Sequence, residues 1–384
     1  MIHLLLSVIY LAFISLGLPD SLLGASWPMM YGPMGVSVSH AGIVSVIISC
    51  GTVVSSLFAD RLTRRTGAGV ITAASVGMTA IALLGFSFST EFWMLCVFAV
   101  PYGLGAGCVD ATLNNYVAVH YASRHMSWLH CMWGIGASVG PYIMGACLAA
   151  GGSWPSGYQT IGLIQILLSA ILFISLPLWR KTAHTEAVSV QQPISLRQIF
   201  YIPGAKALII AFFCYSGVEC TLFLWSSSYL VLHRGIAEAP AATYAGLFYL
   251  GMTIGRALNG FLTMRWKDAV LIRMGAAIMV LGIIILLIPA GQTLALIGLV
   301  VVGLGCAPVY PCIIHSTPET FGAERSQAVI GVQMAGAYLG GLLMPPLFGL
   351  IANHVNIALF PFYLLLLAAA MIFSYQLLHR QTFK

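Results

Sequence analysis

The chain is short of charge. Only 7% of its 384 residues are Asp, Glu, Lys or Arg, where an ordinary soluble domain carries about 25%. With 60% hydrophobic residues and a mean hydropathy of +0.96, it has too little polar surface for water. A soluble globular protein is excluded, and lipid is the solvent for most of the chain. The G-x-x-x-x-G-K-[ST] phosphate loop is missing, which excludes that form of ATP binding and leaves an ion gradient as the energy source. Protons and sodium both satisfy this. No CxxC pair occurs among the nine cysteines, and all nine fall in apolar segments. They read as small packing residues, with no disulfide framework or metal site. No enzyme constellation and no cofactor motif is present. The first segment lacks a basic n-region and its apolar run is too long for a signal peptide.

What is there is a series of long apolar runs. A spanning helix needs roughly 20 apolar residues. The runs 3–31, 39–59, 68–89, 92–119, 128–150, 158–179, 205–232, 242–264, 269–290, 293–316, 326–351 and 358–379 give twelve expected spans. The loops between them are too short for a soluble domain. Basic residues collect on one side: Arg61, Arg64, Arg65, Arg124, Arg180, Lys181, Arg197, Lys206, Arg265, Lys267, Arg273, Arg325, Arg380 and Lys384. The other side has only Arg234. By the positive-inside rule both termini are cytoplasmic, in a multi-pass protein of a bacterial-type inner membrane. This asymmetry accounts for the net charge of +6 without a nucleic-acid partner. A monomer surrounded by membrane lipid is the expected state.

The longest polar connection, Arg180 to Lys206, divides the chain near its middle. Residues 195–200 read as a short interfacial helix and the rest as linker. Across it, features recur at an offset of 200: Gly17 and Gly217, Gly51 and Gly251, Leu62-Thr63 and Leu262-Thr263, Gly103-Leu104-Gly105 and Gly303-Leu304-Gly305. The offset then grows by four, pairing Gly136, Pro141 and Gly145 with Gly340, Pro345 and Gly349. A constant offset over four helix pairs indicates an internal duplication. It divides the chain into a six-helix bundle over 1–180, a linker over 181–204 and a second six-helix bundle over 205–384. The glycines serve either close helix packing or gating motions.

Three carboxylates fall inside spans: Asp20, Asp110 and Glu219. Each costs about 2.5–3.5 kcal/mol at a helix centre and marks an ion or substrate path by default. Asp20 follows Pro19, and it either carries protons or caps amides freed by the proline. Asp110 and Asn114 are one turn apart on one face, with Asn115 alongside. They form either a proton site or a buried packing cluster. A carboxyl kept from water holds its proton more tightly, so alternating exposure can load and unload it. Glu219, followed by Trp225 and Tyr229, suits a polyhydroxylated ligand, with aromatic faces over the apolar side of a sugar ring; a cationic solute also fits. His130, which shares a face with Trp133, and Gln333 are further candidate substrate contacts. Arg256 reads as snorkelling to the interface, and His315 as solvated. The loop after the second span, Asp60-Arg61-Leu62-Thr63-Arg64-Arg65, reads as a cytoplasmic latch or as plain positive-inside topology.

That loop pattern resembles the signature of the major facilitator superfamily, with Ser56 where the pattern has glycine. Asp20, Asp110 with Asn114, Gly217-Val218-Glu219 and Pro308-Val309-Tyr310-Pro311 are together similar to the fucose permease branch, which also holds glucose and galactose carriers. The branch often has Glu where this chain has Asp110. The resemblance implies an all-α fold of two pseudo-symmetric six-helix bundles, with substrate bound near the midplane and the halves rocking. It also implies proton-coupled uptake of a monosaccharide or similar small polar solute, with Asp20 and Asp110 in protonation. The rival expectation is proton-driven efflux of drugs or metabolites, on the strength of Gly140-Pro141.

Overall fold

Inside lipid every backbone amide must find its partner within its own segment, so a chain this apolar is driven to helix. The computed structural model describes residues 2–121, 123–179 and 196–382. The described residues are helical nearly throughout. The helices are α1 (Ile2–Asp20), α2 (Leu22–Met30), α3 (Ala41–Thr66), α4 (Ala68–Ser87), α5 (Phe92–His120), α6 (Ser123–Ala149), α7 (Trp154–Ile174), α8 (Leu176–Trp179), α9 (Leu196–Tyr201), α10 (Ala205–Leu232), α11 (Glu238–Leu262), α12 (Asp268–Leu287), α13 (Gly291–Phe321), α14 (Ala323–Ile351) and α15 (Phe360–Thr382).

Every run read as a span is helical. The first is broken at Ser21, where α1 ends with Pro19 in its last turn and α2 begins. Short α9 occupies the place read as an interfacial helix, while most of the linker lies outside the described residues. One expectation needs correction. Asp60–Arg65 is not a loop: α3 continues through it to Thr66 and stops at Gly67, whose φ of 89° glycine adopts without a Cβ penalty. The long stems of arginine let the helix run on into polar surroundings.

Ten stretches among the described residues are apolar and long enough to cross a membrane, the last of which, Val329–Thr382, takes in two helices. Helix α11 is not among them; Glu238, Arg256 and Asn259, with its glycines, threonines and tyrosines, lower its hydropathy. Large apolar side chains stand outward, Leu57 at 76% exposure and Ile174 at 79%. In water these would be a liability; in lipid they are ordinary. Hydroxyls inside the helices bond back to carbonyls one turn earlier, as Thr72 to Ala68 and Ser138 to Gly134.

By compactness the chain forms two units, Met1–Thr185 with Leu224–Tyr249, and Glu186–Phe223 with Leu250–Lys384. In the first, α1 packs on α6, α3 on α5, and α4 on α5 and α7. Its core gathers Ile9, Phe13, Val76, Val109, Leu113 and Leu129. In the second, α12 packs on α13 and α15, and α13 on α14.

The same close crossings occur inside each unit. A Cβ on Gly136 of α6 would strike the Ile14 carbonyl of α1, and one on Gly340 of α14 would strike the Phe213 carbonyl of α10. A Cβ on Gly105 would strike Ser75 of α4, and one on Gly305 would strike Met279 and Gly275 of α12. Ser56, the departure from the family pattern, sits at the α3–α5 crossing. Its hydroxyl donates to the Thr52 carbonyl at 2.8 Å and to the Gly107 carbonyl at 3.3 Å. A Cβ on Gly107 would strike the Thr52 carbonyl and the Ser55 hydroxyl, so the close approach here rests on the glycine of α5.

Candidate functional site

In the first unit, Asp20 ends α1 where the helix breaks, so its side chain is not confined to one helical face. Its two oxygens are held by ring donors from two other helices. The Tyr102 hydroxyl of α5 donates to Oδ1 at 3.0 Å, and the Trp133 indole N–H of α6 donates to Oδ2 at 2.8 Å. Tyr102 stacks on Phe86, with centroids 6.3 Å apart, and Trp133 meets Tyr249 edge-on at 6.4 Å. Tyr249 comes from the part of α11 that belongs to this unit.

This arrangement fits an ionised carboxylate, which only accepts. Protonation makes one oxygen a donor. A tyrosine hydroxyl can turn round and accept, but an indole N–H cannot. A proton on Oδ2 therefore weakens the bond that joins α1 to α6, because a neutral carboxyl oxygen accepts less strongly than a carboxylate oxygen.

Asp110 lies on α5, and its Oδ1 accepts from Asn114 Nδ2 at 2.9 Å. It is near enough for its charge to bear on Asp20. Asn114 is half-buried and Asn115 exposed, as their step around the helix requires. His130 makes an edge-on contact with Phe13 at 5.9 Å.

In the second unit, Glu219 of α10 is met by Arg256 of α11, with Nη2 to Oε1 at 3.5 Å and both side chains largely buried. This corrects the reading of Arg256 as a snorkelling residue. A buried carboxylate one helix away is a stronger attraction than the distant interface. Beside the pair, Tyr215 donates its hydroxyl to the Cys306 carbonyl at 3.0 Å. Gln333, also in this unit, is fully buried and accepts from the Thr317 hydroxyl at 3.1 Å. His315 is not simply solvated: Nδ1 lies 2.6 Å from Asp268, although the ring is exposed.

Trp225 and Tyr229 belong with the first unit, not with the stretch that holds Glu219. Trp225 is fully buried. The Tyr229 hydroxyl accepts from Arg234 Nε at 3.2 Å, and the guanidinium carbon lies 5.6 Å from its ring centroid. Of the expected latch, Arg61 and Arg65 are exposed on the last turns of α3, while the side chains of Asp60 and Arg64 lie outside the described set.

Sequence reasoning missed Tyr102 and the aim of Trp133. A single ring donor among apolar residues has no spacing pattern to reveal it. Arg256 could have been paired by counting charge, since the spans hold three acids and it is the one cation more than five residues from a span's end.

The family model of the Major Facilitator Superfamily matches residues 9–345 and 241–381. The chain belongs to the major facilitator superfamily. It is a multi-pass membrane transporter of small molecules, not an enzyme. It is 28% identical over 359 residues to the uncharacterized transporter y4wD of Sinorhizobium fredii, covering 89% of each chain. It is 23% identical to the glucose/mannose transporter GlcP of Bacillus subtilis, over 73% of this chain and 71% of that protein. It is 22% identical to the class H tetracycline resistance protein of Pasteurella multocida, over 54% of this chain and 48% of that one. Its fold matches a bacterial homolog of the human lysosomal transporter Spinster, crystallised inward-facing and unoccupied. The TM-score there is 0.73 at 14% identity, covering 99% and 98% of the two chains.

Proposed function

We propose that this protein is a proton-coupled symporter of a monosaccharide or similar small polar solute, in the fucose permease-like branch, working by alternating access. The reading takes the chain as twelve spans in two six-helix repeats with both termini in the cytoplasm of a bacterial-type cell. The observation that carries it is Asp20, a carboxylate inside the first span whose two oxygens tie α1 to α5 and α6. A proton arriving there removes the carboxylate charge that both bonds draw on and so loosens α1 from its partners. Asp110, steadied by Asn114, is the second proton-responsive group.

Charge counting supports the same reading. Glu219 and Arg256 neutralise each other, and Lys206 and Arg273 stand exposed near the ends of their spans, so the charge left deep within the spans resides on Asp20 and Asp110. Once both are protonated the interior of the spans is neutral, and a neutral polar solute can move with them at the least electrostatic cost. Asn114, Asn115, His130, Glu219, Trp225, Tyr229 and Gln333 remain the proposed substrate contacts. Asp60, Arg61, Arg64 and Arg65 remain the proposed cytoplasmic latch. The likeness to GlcP supports a sugar-like substrate. The likeness to the tetracycline resistance protein keeps proton-driven efflux as the second reading.

The test is uptake of a panel of labelled sugars into vesicles with an imposed pH gradient, using wild type, Asp20→Asn and Asp110→Asn. Symport requires concentrative uptake driven by inward protons, lost in both variants while exchange across the membrane persists. Uptake indifferent to the gradient and to both substitutions removes proton coupling. Proton influx released by an effluxed drug establishes the second reading.

A further inference from the structure

In the second unit a groove of about 400 Å³ runs between α12 and α15, lined by Val280, Leu365, Ala369, Ile372, Phe373 and Gln376. Five of the six side chains are apolar and the sixth is an amide. The lining of α15 steps by four, three, one and three residues, so it forms one stripe of the helix. Phe373, at 69% exposure, stands on its rim.

The groove is one leaflet long. From Leu365 to Gln376 the helix rises about 16 Å at about 1.5 Å per residue. Half of the hydrocarbon core of a bilayer is about 15 Å. Its amide end is also its basic end. Arg380 lies four residues beyond Gln376 on the same face of α15, and Arg273 lies seven residues before Val280 on the same face of α12. Both arginines are exposed. Arg273 acts electrostatically on Tyr375 of α15, which sets its charge close to the seam between the two helices. Asp268 also acts on Tyr375, but its carboxylate is engaged by His315 at 2.6 Å. The position 200 residues before Arg273 is Ala73, which is fully buried.

We infer that this groove is a binding site for an anionic phospholipid of the surrounding bilayer. One acyl chain lies along Leu365, Ala369, Ile372 and Phe373. The phosphate sits at the basic end, met by the guanidinium groups of Arg273 and Arg380 with the Gln376 amide beside them. Arginine suits this contact because its planar fork matches phosphate oxygens in pairs. The lipid is that of the leaflet flanking the basic loops, whichever solute the protein carries.

The test is native mass spectrometry of the purified full chain, stripped of lipid and titrated with dioleoyl phosphatidylglycerol or dioleoyl phosphatidylcholine. The wild type should retain the anionic lipid about tenfold more strongly, as expected for two basic side chains near a headgroup. The double variant R273Q/R380Q should lose that preference, and R273K/R380K should keep most of it. Both arginines are exposed, so melting temperatures without lipid should match the wild type. Ala369→Trp fills the groove without touching charge and should weaken retention of both lipids. Equal retention of the two lipids by the wild type overturns the site. So does a preference unchanged in R273Q/R380Q, or retention unaffected by Ala369→Trp.

Discussion

Trp133 donates its indole N–H to Asp20 across 2.8 Å, fastening the middle of α6 to the break that ends α1. The bond has one possible direction, because indole nitrogen donates and never accepts. Trp133→Phe keeps the aromatic packing and removes only the donor. A hydrogen bond to a charged group is worth roughly 1.5–3 kcal/mol, so gradient-driven uptake should fall about tenfold or more. Tyr102→Phe should act in the same direction but more mildly, since the hydroxyl can adapt to either protonation state. Vesicle uptake with counterflow as control measures both. If Trp133→Phe accumulates solute as the wild type does, the bond has no part in coupling.

The Glu219–Arg256 pair predicts an asymmetry between single and double substitutions. Arg256→Gln leaves a carboxylate buried with its charge uncompensated, at a cost of about 3–5 kcal/mol. Glu219→Gln with Arg256→Gln removes both charges and should return most of that loss. Melting temperatures in one detergent decide it. A double variant no more stable than Arg256→Gln alone would sink the interpretation.

Gly136 and Gly340 should respond alike, since each faces a carbonyl on a neighbouring helix of its own unit. Overpacking costs about 1–3 kcal/mol, so Gly136→Val and Gly340→Val should each lower the melting temperature by several degrees. Gly331, with open space where a Cβ would stand, is the control, and Gly331→Ala should be nearly neutral.

His233 lies just past the end of α10, where burial and then the charge of Arg234 hold its imidazole below the usual histidine range. The unfolded chain therefore takes up this proton at a higher pH than the folded one. The stabilising effect is complete above the ordinary histidine value of about 6.5 and is lost as pH falls through the folded value. Melting temperature should thus decline on acidification from about pH 7.5 to about pH 5. His233→Asn should flatten that slope, and Arg234→Gln should narrow the window. Profiles that superimpose would show that His233 contributes nothing.

Hydropathy and glycine spacing carried the helices and the duplicated crossings into view, because both are periodic along the chain. Gly105 and Gly305 mark the same contact in each unit because close approach forbids a Cβ. Contacts made across helices left no such trace. That Trp133 reaches Asp20 depends on how α6 is rotated about its axis, which no local spacing encodes. Depth alone makes Arg256 read as snorkelling, and depth does not say which neighbouring helix presents an acid. Charge usually ends a span, which makes Asp60–Arg65 read as a loop, yet α3 carries it as helix.

At the α3–α5 crossing the small residue is demanded of α5: a Cβ on Gly107 would strike the Thr52 carbonyl and the Ser55 hydroxyl, whatever stands at 56. Position 56 itself has room for a short side chain, whose hydroxyl reaches the carbonyls of Thr52 and Gly107. Among related chains position 107 should therefore stay glycine while position 56 varies among small residues. A search that insists on glycine at 56 would overlook proteins that keep this crossing tight from the opposite helix.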